Sequence, residues 1–323
     1  RRTTWGIHRR GEGTMNRIRV GGWWGVETKE DQSSLRRRRD RLRLRPALLI
    51  LEGRQLLATI DVTNSAASGA GSLAAAIARA NTDGQANAIE FTGAVFKTGQ
   101  TIKLGSSGLE LSDTTGKQEI EGSTAGVTID AKGSSNVLCV DPDVKAMIAG
   151  LTLEGAAGSG FSNSGTANVS DCTMTHNRYG VVNNGTLTIS GSTITNNSDP
   201  GKDSGGVQNS GSLTATHCTI SDNSDGGNGT GAGAGGFSNV DEATASLSGC
   251  TITGNSATGL DGGGVDNGGN LTMTRCTIND NSAADGGGLA TVGGEFTLTD
   301  CTISNNSATS DGGGAGRRSL RQL

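Results

Sequence analysis

Short runs alternate apolar and polar residues with almost no helical pattern between them. One phrase returns six times, and its spacing varies at a single point of each return. Together these predict an all-β chain: a right-handed parallel β-helix with three short strands per coil and a short N-terminal capping helix. Composition agrees. Across 323 residues, hydrophobic side chains make up 33% and aromatics 3%, with 54 Gly and 3 Pro. That is too little apolar area for a globular core, but enough where each unit buries a small face against its neighbours.

The net charge of -4 divides unevenly. Residues 1–58 carry 15 Lys+Arg against 6 Asp+Glu, and residues 59–316 carry 9 against 25. An acidic body of this kind excludes nucleic acid as the main partner, since phosphate contacts require Lys and Arg. No run of 18 apolar residues offers a membrane span. The head, 1–58, holds seven Arg between Arg36 and Arg45, then two apolar bursts, Leu48–Leu51 and Leu56–Leu57, split by Glu52-Gly53-Arg54. By its residues it reads as a basic disordered arm or as an unusual export signal with a broken apolar run. Its wording, Leu51, Glu52, Arg54, Leu56 and Leu57, resembles the L-E-x-R-x-L-L element near the start of large bacterial surface and secreted proteins. That resemblance implies a targeting element. The chain begins with Arg1 and its first Met is Met15, so the residues upstream of Met15 are expected to lie outside the translated protein.

A lead-in and cap occupy 59–160. Ile60 and Val62 alternate with Thr59, Asp61 and Thr63, as in a strand. Ser72 is an N-cap, and Leu73, Ala76, Ile77 and Ala80 form one apolar stripe suited to covering the open end of the first coil. Gly71, Ser72, Leu73, Ala76, Ile77, Ala80 and Asn81 resemble the G-S-L-x-x-A-I-x-x-A-N segment of secreted parallel β-helix proteins. Short strands follow at Thr101–Leu104, Leu109–Leu111, Val127–Asp130, Val137–Val140 and within 147–155.

The regular repeats run from 161 to 316. The phrase stands at Cys172–Asn177, Ser192–Asn197, Cys218–Asn223, Cys250–Asn255, Cys276–Asn281 and Cys301–Asn306. Cys and Ile share one face of a strand, and the closing Asn suits a tight corner. Measured from the preceding apolar residue (Phe161, Val181, Val207, Phe237, Val265, Leu289), the gap to Cys or Ser is 11, 11, 11, 13, 11 and 12. Onward to the next such residue it is 9, 15, 19, 15, 13 and 14. One connection absorbs the insertions because only it faces solvent without a neighbour's register to keep. Roughly ten coils would stack into a rod about 45–50 Å long. Gly205-Gly206-Val207, Gly263-Gly264-Val265 and Gly287-Gly288-Leu289, with Ile220–Asn223 and Ile303–Asn306, resemble the G-G-A-[ILV] and F-x-x-N signatures of polymorphic outer-membrane-protein repeats. The resemblance implies a secreted or outer-membrane-associated bacterial protein.

Candidate chemistry is sparse. Cys218, Cys250, Cys276 and Cys301 fall on successive coils and read as a buried ladder, with Ser192 interrupting it. Their spacing leaves a disulfide open, and no C-x-x-C pair suggests zinc. Asn163, Asn183, Asn209, Asn239 and Asn267 form a second register suited to stacked amides. Asp261, Asp285 and Asp311 precede Gly-Gly-Gly on three coils. They read as solvated turn aspartates or as a calcium-binding edge, calcium being the one cofactor in question. His176 and His217 occupy different offsets from Cys, and Asp222 and Asp280 share an outward offset two coils apart, about 10 Å.

The repeat is abandoned after Gly316, where 317–323 read RRSLRQL, so the chain is expected to end in an aberrant, incomplete coil. Such a chain is expected to be monomeric unless that open coil pairs. The expected function is an extracellular or cell-surface scaffold, adhesin-like, binding a glycan or surface protein through its variable loops. The alternative is a polysaccharide-degrading lyase or hydrolase using outward carboxylates.

Overall fold

A computed structural model describes residues 57–201, 204–227, 233–258, 262–291 and 293–317. The Arg run and the L-E-x-R-x-L-L element lie outside the described residues, apart from Leu57, as does the tail beyond Arg317. The unit that carries the coils spans Gln55–Leu323.

The chain winds through three faces in fixed order. The first face holds ten strands, from Ala58–Val62 to Phe296–Thr299. The second holds nine, from Gln100–Lys103 to Thr302–Ser304, and the third nine, from Leu109–Leu111 to Ala315–Arg317. Neighbouring strands pair in parallel, each with its counterpart one coil away. At strand spacing the first face measures about 43 Å.

Period-two alternation sends one aliphatic set inward on each face. Ile89, Ile120, Ile148, Val169 and Ile189 stack in register on the first face. Ile129, Leu153, Met174, Ile194, Ile220 and Ile252 do so on the second, and Leu138, Phe161, Val181, Val207, Phe237 and Val265 on the third. All are almost fully buried. Few apolar residues therefore suffice, because every coil uses the same narrow bore.

The helix forms where the stripe predicts it, over Leu73–Ala80, with Leu73, Ala76, Ile77 and Ala80 buried. Ser72 Oγ accepts from the Ala75 N–H at 3.2 Å, and Asn81 caps the other end. It packs on the strands Ala58–Val62, Asn87–Phe91 and Leu109–Leu111. A 3-10 turn over Ala94–Lys97, unmarked in the sequence reading, buries Phe96 edge-to-face against Phe91 at 5.0 Å.

Two expectations need correction. The corner residue is not the closing Asn but the one before it. His176, Asn196, Asp222, Gly254, Asp280 and Asn305 all have φ between 54° and 66°. Asn, Asp and Gly tolerate the left-handed region best, which leaves the following Asn free to turn inward. A matching corner precedes each Cys or Ser, at Asp171, Gly191, His217, Gly249, Arg275 and Asp300. Second, the variable connection is not all loop. Five of these connections begin with a strand of a fourth parallel sheet: Ser198–Asp199, Ser224–Asp225, Ser256–Ala257, Ser282–Asp285 and Ser307–Asp311. The excursion then returns through the Gly-Gly phrase, where a Cβ on Gly206 would strike the Gly236 carbonyl oxygen of the next coil. No helix among the described residues is long and apolar enough to cross a membrane.

Candidate functional site

The Cys residues of the repeat phrase line the corner between the first and second faces. Cys172, Cys218, Cys250 and Cys276 are buried, Cys301 is half-buried, and all are free thiols. The Cys276 N–H donates to Cys301 Sγ at 3.4 Å, and in the same geometry the Cys172 N–H donates to Ser192 Oγ at 3.1 Å. The thiols donate back to the previous coil, Cys218 to the Ile189 carbonyl and Cys276 to that of Leu247, each at 3.5 Å. Burial pushes the Cys172 thiol up to about 11. The Cys218 thiol, with burial adding, pushes Cys250 to about 11, and contact with Cys250 raises Cys276 and lowers Cys218. A raised thiol is a poor nucleophile and a poor metal ligand.

The amides Asn163, Asn183, Asn209, Asn239 and Asn267 form one continuous column. Each Nδ2 donates to the Oδ1 of the next, at 2.8, 2.7, 2.8 and 2.9 Å. It starts at Asn163 because the register partner one coil earlier is Val140. A second column escaped the sequence reading. Asn177, Asn197, Asn223, Asn255, Asn281 and Asn306, the closing residues of the phrase, link Nδ2 to Oδ1 at 2.9–3.1 Å. From Asn197 onward each Oδ1 also takes the N–H of the preceding Asn, Asn177 Oδ1 takes that of Ala156, and each Nδ2 reaches a carbonyl one coil back, as Asn223 does to Ile194 at 2.9 Å. The signal was present: a residue that only ends strands need not be Asn every time.

Of the three turn aspartates, Asp261 lies outside the described residues. Asp285 is half-buried at the end of its strand, and its backbone pairs with that of Asp311 across a bulge. Among the described residues no group of three or more His, Cys, Asp or Glu is placed to hold a metal ion. Asp222 and Asp280 sit in one corner column with Gly254 between them. His176 shares that column and contacts Thr175 Oγ1 through Nδ1 at 3.0 Å, whereas His217 belongs to the other corner. The structure does not bring these residues together.

It does assemble two polar sites, one where the lead-in meets the first repeats and one within the lead-in. On the first face, Glu119, Glu121, Met147, Asn168, Ser170, Thr188 and Ser190 line an open groove of about 340 Å³. Glu119 is ion-paired with Lys117, whose Nζ also lies 3.2 Å from Met147 Sδ. Glu119 and Glu121 point outward two residues apart on one strand, about 6.6 Å. Glu121 pairs in register with Glu90, and Glu90 with Asp61, so carboxylates continue along the axis. On the third face, a hydrogen bond and charge from Asp141 push the Glu110 carboxyl up. Cys139, the register partner of Glu110, is raised by burial, and its Sγ accepts from Asn136 Nδ2 at 3.3 Å. The alternation in KQEIE and in LCVDPD could have shown both clusters, had outward residues been tracked as closely as inward ones.

Residues 157–316 match the family model described as the right handed beta helix region. Among solved structures, the chain is similar to pectate lyase Pel9A, at 13% identity and a TM-score of 0.39, with 80% of each chain covered. It is also similar to ORF18 of Geobacillus virus E2, at 12% identity and a TM-score of 0.32, covering 76% of this chain and 59% of that one. No curated protein matches it. With its parallel faces and repeat phrase, the chain is a right-handed parallel β-helix repeat protein.

Proposed function

We propose that this protein is an extracellular or cell-surface scaffold that binds a glycan or a surface protein through the excursions between its second and third faces. The observation that carries this reading is the contrast between a register-locked rod and a connection that alone changes length. An aliphatic bore runs through the coils, and from Asn163 and Asn177 onward two amide columns hold each regular coil to the next. Every excursion leaves after the phrase and returns at the third face, so the variable segments share one side of the rod. Extended solenoid surfaces of this kind suit binding.

The test immobilises the full chain and passes acidic and neutral polysaccharides and intact bacterial cells over it. Retention without new chain ends is expected. Shortening the 226–233 connection should abolish retention and leave the melting temperature unchanged. No retention of any probe would overturn the reading.

The groove favours a second reading, a polysaccharide-cleaving enzyme. Glu119 and Glu121 project from one face of a strand with their backbones about 6.6 Å apart, and a pair of carboxylates flanking the scissile bond is what glycosidases use. New reducing ends or unsaturated products, lost in both Glu119→Gln and Glu121→Gln, would establish catalysis and displace the scaffold.

A further inference from the structure

On the first face, the outward side chains between 166 and 299 form a three-column field. One column is Thr166, Thr186, Ser212, Thr244 and Asn270. The middle column is Asn168, Thr188, Thr214, Ser246, Thr272 and Thr297. The last is Ser170, Ser190, Thr216, Ser248, Thr274 and Thr299. Four successive pairings align all five residues of each strand without a register shift. The field therefore repeats about every 4.8 Å along the rod and about every 6.6 Å across it.

Strand propensity explains Thr here but not what is missing. Val, Ile, Tyr and Phe favour strands equally, yet none appears at these seventeen positions, nor does any charged residue. The chain from 59 to 316 carries 25 Asp+Glu, and upstream the same columns hold Glu119, Glu121, Lys117 and Lys145. Charge stops where the regular repeats begin and returns only on the last coil, where exposed Glu295 follows Asn270 in the first column.

The missing groups decide the occupant. Without Lys or Arg the field offers nothing to an acidic glycan or an anionic membrane, and the lone carboxylate at its end, Glu295, falls short of the several oxygens a mineral cation takes. Without aromatics it lacks the flat apolar plates on which rings stack. What it presents is fifteen hydroxyls, each both donor and acceptor as water is, with the Thr methyl groups and two amides, Asn168 and Asn270, beside them. Ten of the seventeen are Thr, whose β-branched side chain is stiff at χ1, so those oxygens hold a fixed pattern before anything binds. A neutral, periodic array of donor-acceptor oxygens on a stiff sheet matches a lattice of the same kind. We infer that this field binds the surface of ice, ordering the contact waters into the crystal's own repeat.

The full chain is added to a single ice crystal held just below its melting point, and crystal habit and the gap between melting and growth temperatures are followed. Faceted growth and a measurable gap are expected. Thr214→Lys and Thr272→Tyr, both exposed in the middle column, should each return habit and gap to those of buffer. Circular dichroism and an unchanged melting temperature would show that the rod still folds; should either variant fail to fold, Ser246→Asp serves in its place. Rounded crystals growing as in buffer would overturn the inference. So would faceting that survives all three substitutions, or retention on crystalline cellulose with no effect on ice. Loss of loop-mediated glycan or cell binding would leave this result unchanged, so the two readings fail separately.

Discussion

At the scale of single residues, the closing Asn carries the most interaction per side chain. Asn223 donates to the Ile194 carbonyl and to Asn255 Oδ1, while its own Oδ1 receives the N–H and Nδ2 of Asn197. Removing it strands buried partners on both sides, at about 1–3 kcal/mol each for groups that stay dry. Asn223→Ala is therefore expected to cost at least about 2 kcal/mol, read as a fall in the urea midpoint, while exposed Asn184→Ala should shift it little. The thiols give a pH test. Burial raises Cys172 from 9.0 to about 11, so between those values the unfolded chain releases a proton that the folded chain keeps. Its contribution is complete below pH 9 and is lost as pH rises towards 11. Stability should fall over that window, and Cys172→Ala should flatten the fall. A parallel decline in both proteins would count against the assignment.

At the scale of elements, the corner makes the sharper claim. Asp222 has φ 55°, where a β-branched side chain is strained by about 1–2 kcal/mol. Asp222→Val should lower stability by that amount, read from the urea midpoint, and Asp222→Gly should not, since Gly254 already fills the equivalent corner two residues after Ile252. Strands and cap were legible because their signal is local. Leu73, Ala76, Ile77 and Ala80 space as a helix, and Cys with Ile alternates as a strand. The fourth sheet was not. Its strands are two to five residues long, too short for periodicity to register. Yet Asn-Ser recurs at Asn197-Ser198, Asn223-Ser224, Asn255-Ser256, Asn281-Ser282 and Asn306-Ser307, and that dipeptide marks each start. The lead-in groove was illegible for another reason. Glu119 meets Met147 and Asn168 only through register between coils of unequal length, which no single segment encodes.

At the scale of the whole molecule, a solenoid whose coils touch only their neighbours should tolerate loss of an entire unit but not of part of one. Val207 and Phe237 are register partners, each preceded by Gly-Gly. Deleting residues 207–236 joins Gly206 to Phe237 and restores that phrase. Asn183 then faces Asn239 as it faced Asn209, and Asn197 faces Asn255 as it faced Asn223, so both columns reconnect. Ile194 meets Ile252, keeping the bore filled. Such a variant should fold into a rod shorter by about 4.8 Å in solution scattering, with a lower unfolding midpoint from the lost interface. Deleting 212–216 instead would take one first-face strand out of the fixed part of a coil, break the Leu187, Leu213, Ala245 stack and leave Asn209 and Asn223 too few residues apart for both to stay in their columns. That variant should expose buried amides and aggregate. If both deletions folded equally well, the columns would not be what sets register, and the regular phrase would need another explanation.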